Sequence, residues 1–383
     1  MASPRPSLLV LVGIAVLVAV AVVRTGEIRE RAMAGLGEGM PAREAALARG
    51  FVLGDDDGVD EATREDFIRA GLSHLLAVSG ENVTLLALLA MPVLAAFGVP
   101  LRERLVWVIA LIAVYVPLAG SGPSIQRAAV MGAAGLGATL AGRRTSRLYA
   151  LGLALVVTLA VDPGVAGDVG WQLSFAAVLG ILLLAAPIRE RVLALLVGGR
   201  RVAAVTGSAG GPWRRALAEG IAVTVAATLA TGPLVAHVFD EISLTSLAAN
   251  VLVLPAVAPA MWLGMASAAL AQVPGVPLGP LNGLDALLLA YIAQVAAWCG
   301  RPSWAVVHVH LGTAAMLASY AAMAVAIAGG ALLTRAHRLA KARASATTAP
   351  CAVDPRPGST GAVVLWPVGR AKGRPQAQGR AKG

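Results

Sequence analysis

Residues 71–97 read GLSHLLAVSGENVTLLALLAMPVLAAF, twenty-seven positions with one acidic residue, Glu81, and no lysine or arginine. About 20 apolar residues span the hydrocarbon core of a bilayer, so this stretch is long enough to cross. It also contains Gly80, which permits a helix break, beside the polar pair Glu81-Asn82. Unwound backbone at membrane depth is tolerated only where it is buried in protein or lines a cavity. The stretch therefore reads as a broken membrane helix next to a polar path.

Working outward, further apolar runs occupy 7–23, 105–120, 124–141, 146–161, 171–188, 217–238, 243–272, 281–298 and 309–334. Hydrophobic residues make up 57% of the 383 and charged residues 14%, against about 25% charged in soluble domains. Ten spans of about 20 residues need about 200 apolar positions, and this composition supplies them. The runs are continuous rather than alternating, which excludes a membrane β-barrel. The expected fold is all-α, a polytopic integral membrane protein of about ten apolar helical segments, with broken helices around a polar path. Residues 243–272, interrupted by Pro255 and Pro259, read either as one kinked helix or as a hairpin. Asn282, Asp285, Tyr291 and Gln294 make 281–298 amphipathic, which favours its lying flat in the interface.

Charge divides the chain into four parts and sets an orientation. Cytoplasmic loops are enriched in Lys and Arg. With the N-terminus inside, Arg102, Arg104, Arg143, Arg144, Arg147, Arg189, Arg191, Arg200, Arg201, Arg214 and Arg215 all fall inside. Asp162, Asp168, Asp240 and Glu241 then fall outside, and Arg301 alone breaks the pattern among the short loops. Residues 1–24 read as an N-terminal transmembrane helix, 25–70 as an acidic extracytoplasmic lead-in, 71–334 as the transmembrane core and 335–383 as a disordered basic cytoplasmic tail. The expected location is the cell membrane, multi-pass, with both termini cytoplasmic.

Recognisable catalytic chemistry is missing from the sequence. No Gly-x-x-x-x-Gly-Lys-Ser/Thr occurs, so no P-loop is expected. His308-Val309-His310 has no acidic residue near it in sequence, and it reads as structural rather than metal-binding. No cofactor, metal or enzymatic activity is expected. Gly132, Gly135, Gly137 and Gly142 read as small residues for close helix packing. The informative positions are polar residues inside apolar runs, which are costly in lipid and face the protein interior. They are Ser79, Gly80, Glu81, Asn82, Gln126, Arg127, Gln172, Ser174, Thr231 and Asn250. Arg127 stands out as the one Arg or Lys within an apolar run, and an ion pair with Glu81 is one way to accommodate it.

Four blocks, in order, resemble one family. Residues 47–86 hold Gly71-Leu72-Ser73-His74-Leu75 followed by Ser79-Gly80. Then come Pro123 with Arg127-Ala128 and Met131, the block Gly170-Trp171-Gln172-Leu173-Ser174-Phe175, and ATLATGPLVAHVFDEISLTSLAANVLVLP at 227–255. Together, over about 45–334, they resemble the membrane competence domain of ComEC-type DNA-uptake channels. That resemblance implies a channel conducting single-stranded DNA across the cytoplasmic membrane during natural transformation. The ten polar residues above would line the DNA path. The implied partners are single-stranded DNA, an extracytoplasmic DNA receptor, a cytoplasmic motor or strand-binding proteins, and the lipid bilayer. Longer family members carry an oligonucleotide-binding fold and a metallo-β-lactamase-like domain. Neither is visible here, so a separate nuclease is expected. Two other functions fit a polar seam in a helical bundle: a small-molecule secondary transporter, and an intramembrane enzyme using Ser79 or Ser174 with His74 or His237.

Overall fold

The computed structural model describes residues 8–143, 146–197 and 212–347. Two units divide the chain, Met1–Ile327 and Ala328–Gly383. The helices in order are α1 (Leu8–Val23), α2 (Thr25–Gly37), α3 (Ala42–Leu53), α4 (Glu61–Arg69), α5 (Ser73–Leu76), α6 (Gly80–Ala96), α7 (Leu101–Leu118), α8 (Pro123–Leu140), α9 (Arg147–Val161), α10 (Val169–Val197), α11 (Pro212–Val238), α12 (Ser246–Leu270), α13 (Gly279–Gly300) and α14 (Thr313–Thr347). Two three-residue strands, β1 (Glu241–Ser243) and β2 (Val306–His308), pair antiparallel. The protein is an all-α membrane protein apart from this short ribbon.

Among the described residues five helices are long and apolar enough to cross a membrane: α10, α11, α12, α13 and the first part of α14. The other expected segments are shorter or more polar. At 1.5 Å per residue, the 17 residues of α6 and the 15 of α9 reach about 25 and 22 Å, short of a hydrocarbon core of about 30 Å. In α7 the first turn carries Arg102, Glu103 and Arg104. The break expected in 71–97 is present: α5 ends at Leu76 and α6 begins at Gly80, with Ser79 as its N-cap. The Ser79 hydroxyl accepts the Glu81 N–H at 3.2 Å, satisfying one of the orphan donors of the first turn.

Residues 243–272 hold one continuous helix, α12, with Pro255 and Pro259 inside it. The interfacial placement of 281–298 is corrected too. Asn282 and Asp285 lie on the packed face of α13 with Leu289, Ile292 and Ala296, while Tyr291 and Gln294 lie on the opposite, exposed face. The polar residues therefore do not form one wet side.

The acidic stretch 25–70 behaves differently from a lead-in. Leu36, Leu47, Phe51 and Phe67 are fully buried in the same core as residues of α6, α7, α12 and α13. Asn282, in the first turn of α13, donates to the carbonyls of Gly35 and Glu38 at 2.7 Å each. At the other end of α13, Arg69 donates to the Gly300 carbonyl at 2.7 Å and Asp66 pairs with Arg301 at 3.2 Å. The 22 residues of α13 measure about 33 Å, so residues 38–66 run its length rather than staying at one end. The Asp66 pair also neutralises the arginine that breaks the loop-charge pattern.

The tail is corrected in part. Helix α14 continues to Thr347, because the charges of RAHRLAKARASA end an apolar run but Ala, Leu, Arg and Lys are strong helix formers. Residues 348–383, with Arg144, Arg200 and Arg201, lie outside the described residues. Of Gly132, Gly135, Gly137 and Gly142, only Gly132 faces neighbours, Ile112 and Val83. A Cβ on Gly135 or Gly137 would meet open space, and Gly142 is a turn with φ +66°. The close approach is elsewhere, at Gly180, where a Cβ would collide with the Ala230 side chain and the Ala226 carbonyl of α11.

The end of α3 is held by side chains from three other helices. The last four carbonyls of a helix have no partner within it. Gly54, in the left-handed conformation (φ +68°), supplies the N–H for the Gly50 carbonyl at 2.9 Å. Asn82 Nδ2 donates to Phe51 O at 2.7 Å, the Tyr115 hydroxyl to Val52 O at 2.6 Å, and Arg29 Nη1 to Leu53 O at 3.0 Å. Asn82 also donates to Tyr115 at 3.1 Å. Tyr115→Phe should therefore cost about 1–3 kcal/mol, since it leaves a buried carbonyl without a donor. The readout is the thermal unfolding midpoint in detergent, and an unchanged midpoint would show that Val52 finds another donor.

Helix α4 starts on Asp60, whose carboxylate accepts the Thr63 N–H at 2.9 Å. That backbone N–H, then the Thr63 hydroxyl, holds the Asp60 carboxyl below its ordinary value. The cap is present above the unfolded-state value and is lost as pH falls through the lower folded one. Asp60→Ala should destabilise by about 0.5–2 kcal/mol at neutral pH, and the gap to the unsubstituted protein should close in acid below the usual carboxylate range.

Candidate functional site

Three helix beginnings meet around Arg127. It lies in the second turn of α8, whose first residue, Pro123, is pre-set for a helix start. Residues 122–124 turn α8 back beside the first turn of α6. A Cβ added to Gly80 would lie 2.8 Å from Arg127 Nη2 and 3.0 Å from the Ala128 side chain. Glycine at 80 is thus what lets the guanidinium reach the amino end of α6. From α10 comes Ser174, whose hydroxyl meets that of Ser124 at 2.9 Å and whose carbonyl accepts from Arg127 Nη1. The Phe175 ring lies 5.8 Å from the guanidinium carbon, close enough for a cation–π contact. Phe175 in turn packs on Trp171 at 4.5 Å, and the Trp171 indole donates to Thr158 at 3.1 Å.

The electrostatics of this site are unbalanced. Arg127 is 5% exposed and its Nε has no hydrogen-bond partner among the described residues. Glu81 is exposed and forms no ion pair with it, so the Glu81–Arg127 bridge considered from sequence is absent from the described residues. A buried cation lacking a counter-charge is costly. Helix amino ends add partial positive charge, and unpaired N–H groups there attract anions. Of the three ends here, that of α10 is capped by the Asp168 carboxylate and that of α6 by the Ser79 hydroxyl, so the uncompensated charge at the site is the guanidinium itself.

Of the ten residues chosen from sequence, the structure gathers Ser79, Gly80, Arg127 and Ser174 near this point. Asn82 is adjacent but 5% exposed, with its amide engaged in holding the end of α3. There it is a structural tie, because the Phe51 carbonyl and the Tyr115 hydroxyl it bonds come from segments distant in sequence. Gln126 donates to the Ser121 carbonyl at 2.6 Å and Gln172 to the Ala166 carbonyl at 2.8 Å, each closing its own preceding loop. Thr231 and Asn250 bond carbonyls four residues back on their own helices, at 2.9 and 2.8 Å. The Ser124 and Tyr115 hydroxyls join the network without a local signal in the sequence, since each is placed by a partner 31 or more residues away.

The histidines also acquire partners across the fold. His308 meets Glu241 at 3.4 Å and His310 meets Asp240 at 2.5 Å across the β1–β2 ribbon. The acids are about 70 residues away in sequence, which is why no acidic neighbour was visible. Among the described residues no group of three or more metal-ligating side chains forms. His237 bonds the Leu311 carbonyl at 2.7 Å.

Over 216 residues the chain is 24% identical to ComE operon protein 3 of Bacillus subtilis (strain 168), covering 56% of this chain and 25% of that protein. The match spans a quarter of that relative's length. No solved structure matches. The family described as Competence protein matches residues 51–336, which include every helix contributing to the Arg127 cluster. On that match, the chain belongs to the competence protein family.

Proposed function

We propose that the protein conducts a single strand of DNA across the cytoplasmic membrane during natural transformation. The observation that carries this reading is Arg127, a buried guanidinium without a carboxylate at the converging ends of α6, α8 and α10. A phosphodiester strand carries one negative charge per nucleotide, and a dry apolar bundle would exclude it. A desolvated arginine with a planar donor fork suits phosphate. The short helices α6 and α9 leave ends within the hydrocarbon, where exposed backbone must border protein or a cavity. Family membership supports the uptake role, and the Arg127 site supports an anionic cargo.

In this reading the chain transports and does not catalyse. A separate nuclease delivers one strand, an extracytoplasmic receptor presents it, and a cytoplasmic motor or strand-binding proteins draw it in. The N- and C-termini face the cytoplasm, as the loop arginines indicate. About ten apolar segments then line or cross the bilayer.

Arg127→Ala should lower DNA uptake on the order of tenfold, equivalent to roughly 1.4 kcal/mol, at unchanged membrane protein level. Arg127→Lys should recover part of it by restoring charge without the fork. Uptake equal to the unsubstituted protein for Arg127→Ala would sink the reading. A small-solute carrier would instead leave transformation intact in the deletion strain. For orientation, a reporter fused at Gly142 should read cytoplasm and one at Gly167 outside, and the reverse pair would invert the assignment.

A further inference from the structure

Away from Arg127, a carboxyl group sits inside the bundle with nothing to hold its charge. Asp285, in the second turn of α13, is 1% exposed, and its Oδ1 has no hydrogen-bond partner. A Cβ placed on Gly264 of α12 would lie 3.5 Å from Asp285 Oδ2 and would also meet Val52 of α3 and Leu36 of α2. The carboxyl thus looks onto a glycine and apolar side chains.

The charged groups on the surrounding helices are committed elsewhere. Helix α12 has no ionisable residue. On α3, Arg43 donates to Thr63 and Arg49 to the Met33 carbonyl, and Glu44 makes no bond to Asp285. On α2, Arg29 holds the carbonyls of Leu53 and Leu118 and lies 3.9 Å from Asp55, while Arg31 pairs with Glu27. Glu30 is exposed. On α4, Arg64 pairs with Asp56, Arg69 with Glu65, and Asp66 with Arg301, and Glu61 is exposed.

A polar cluster lies one turn away. Asn282, one turn before Asp285 on the same face, accepts from the Ser267 hydroxyl at 2.7 Å and donates to the Glu38 carbonyl at 2.7 Å. Glu38 lines an open cavity of about 540 Å³ between α2 and the α12–α13 turn. A metal cation is a poor occupant, because hard cations need several oxygen ligands. Here Asn282 is saturated by its own bonds, leaving one carboxyl.

We propose that Asp285 is a proton-binding site that exchanges its proton with the water of this cavity. A proton from cavity water bonds to one carboxylate oxygen and gives the neutral acid, which a site without donors or cations can bury. The site is separate from Arg127 and does not depend on which solute crosses the bundle.

The test is infrared spectroscopy of the full-length protein in lipid nanodiscs. At neutral pH an acid carbonyl band should appear, vanish in Asp285→Asn, and move in Asp285→Glu. Transfer to D₂O should shift the band. Absence of any band distinguishing Asp285→Asn from the unsubstituted protein would overturn the proposal. So would a band that never shifts in D₂O. Should Asp285→Asn fail to fold, an unmoved band in Asp285→Glu is the overturning result.

Discussion

A helix that stops inside a packed bundle must find donors for its last carbonyls, because buried carbonyls left without a partner are costly. Helix α3 meets this constraint with four different groups: a left-handed glycine, an asparagine amide, a phenol and a guanidinium. They come from residues 54, 82, 115 and 29, so satisfying one helix end ties α2, α6 and α7 to α3. The break between α5 and α6 follows from the same need. Asn82 reaches the Phe51 carbonyl from the first turn of α6, just after the chain resumes a helix at Gly80. What looks from sequence like a polar residue lining a path is here a bond that holds the end of α3.

Helix existence was legible in the sequence because apolar runs and their breakers are local signals. Gly80, Pro123 and the charged loops mark helix limits close to those observed. The role of 25–70 was not legible. Its acidic composition suggests solvent, yet Leu36, Leu47, Phe51 and Phe67 recur among the charges and all are buried. Composition averages over faces, and a helix with one apolar face and one charged face averages to polar. The same averaging misreads 281–298, where buried Asn282 and Asp285 were counted with exposed Tyr291 and Gln294 as one wet side.

For the site, the sequence identified residue types and missed partners. Four of the ten residues converge; of the others, Gln126 and Gln172 close local loops, Thr231 and Asn250 back-bond to their own helices, Asn82 holds α3 and Glu81 is exposed. Intrahelical bonding four residues back is available to any Thr or Asn in an apolar helix, so a polar side chain alone does not mark a path. The convergent set shares a different property. Each member lies within the first two turns of a helix whose start meets another helix start. In lipid, where helix packing relies on small residues and interhelical hydrogen bonds rather than apolar burial, such meetings need a glycine and two hydroxyls, here Gly80, Ser124 and Ser174.

Two arginines of the bundle make the same kind of bond and differ in what surrounds it. Arg29 donates to the carbonyls of Leu53 and Leu118, and Asp55 lies 3.9 Å away. Its charge is offset, and it serves as a strut between helix ends. Arg127 donates to the Ser174 carbonyl and rests on Phe175, with its Nε unpartnered and no carboxylate beside it. Arg104 also has an unpartnered Nε, but it is a half-buried residue in the first turn of α7, near the end of an apolar run. If Arg127 were only another strut, a carbonyl-capping amide of similar reach would serve without the cost of a buried charge. Arg127 therefore differs from Arg29 in carrying a buried charge that no carboxylate among the described residues offsets.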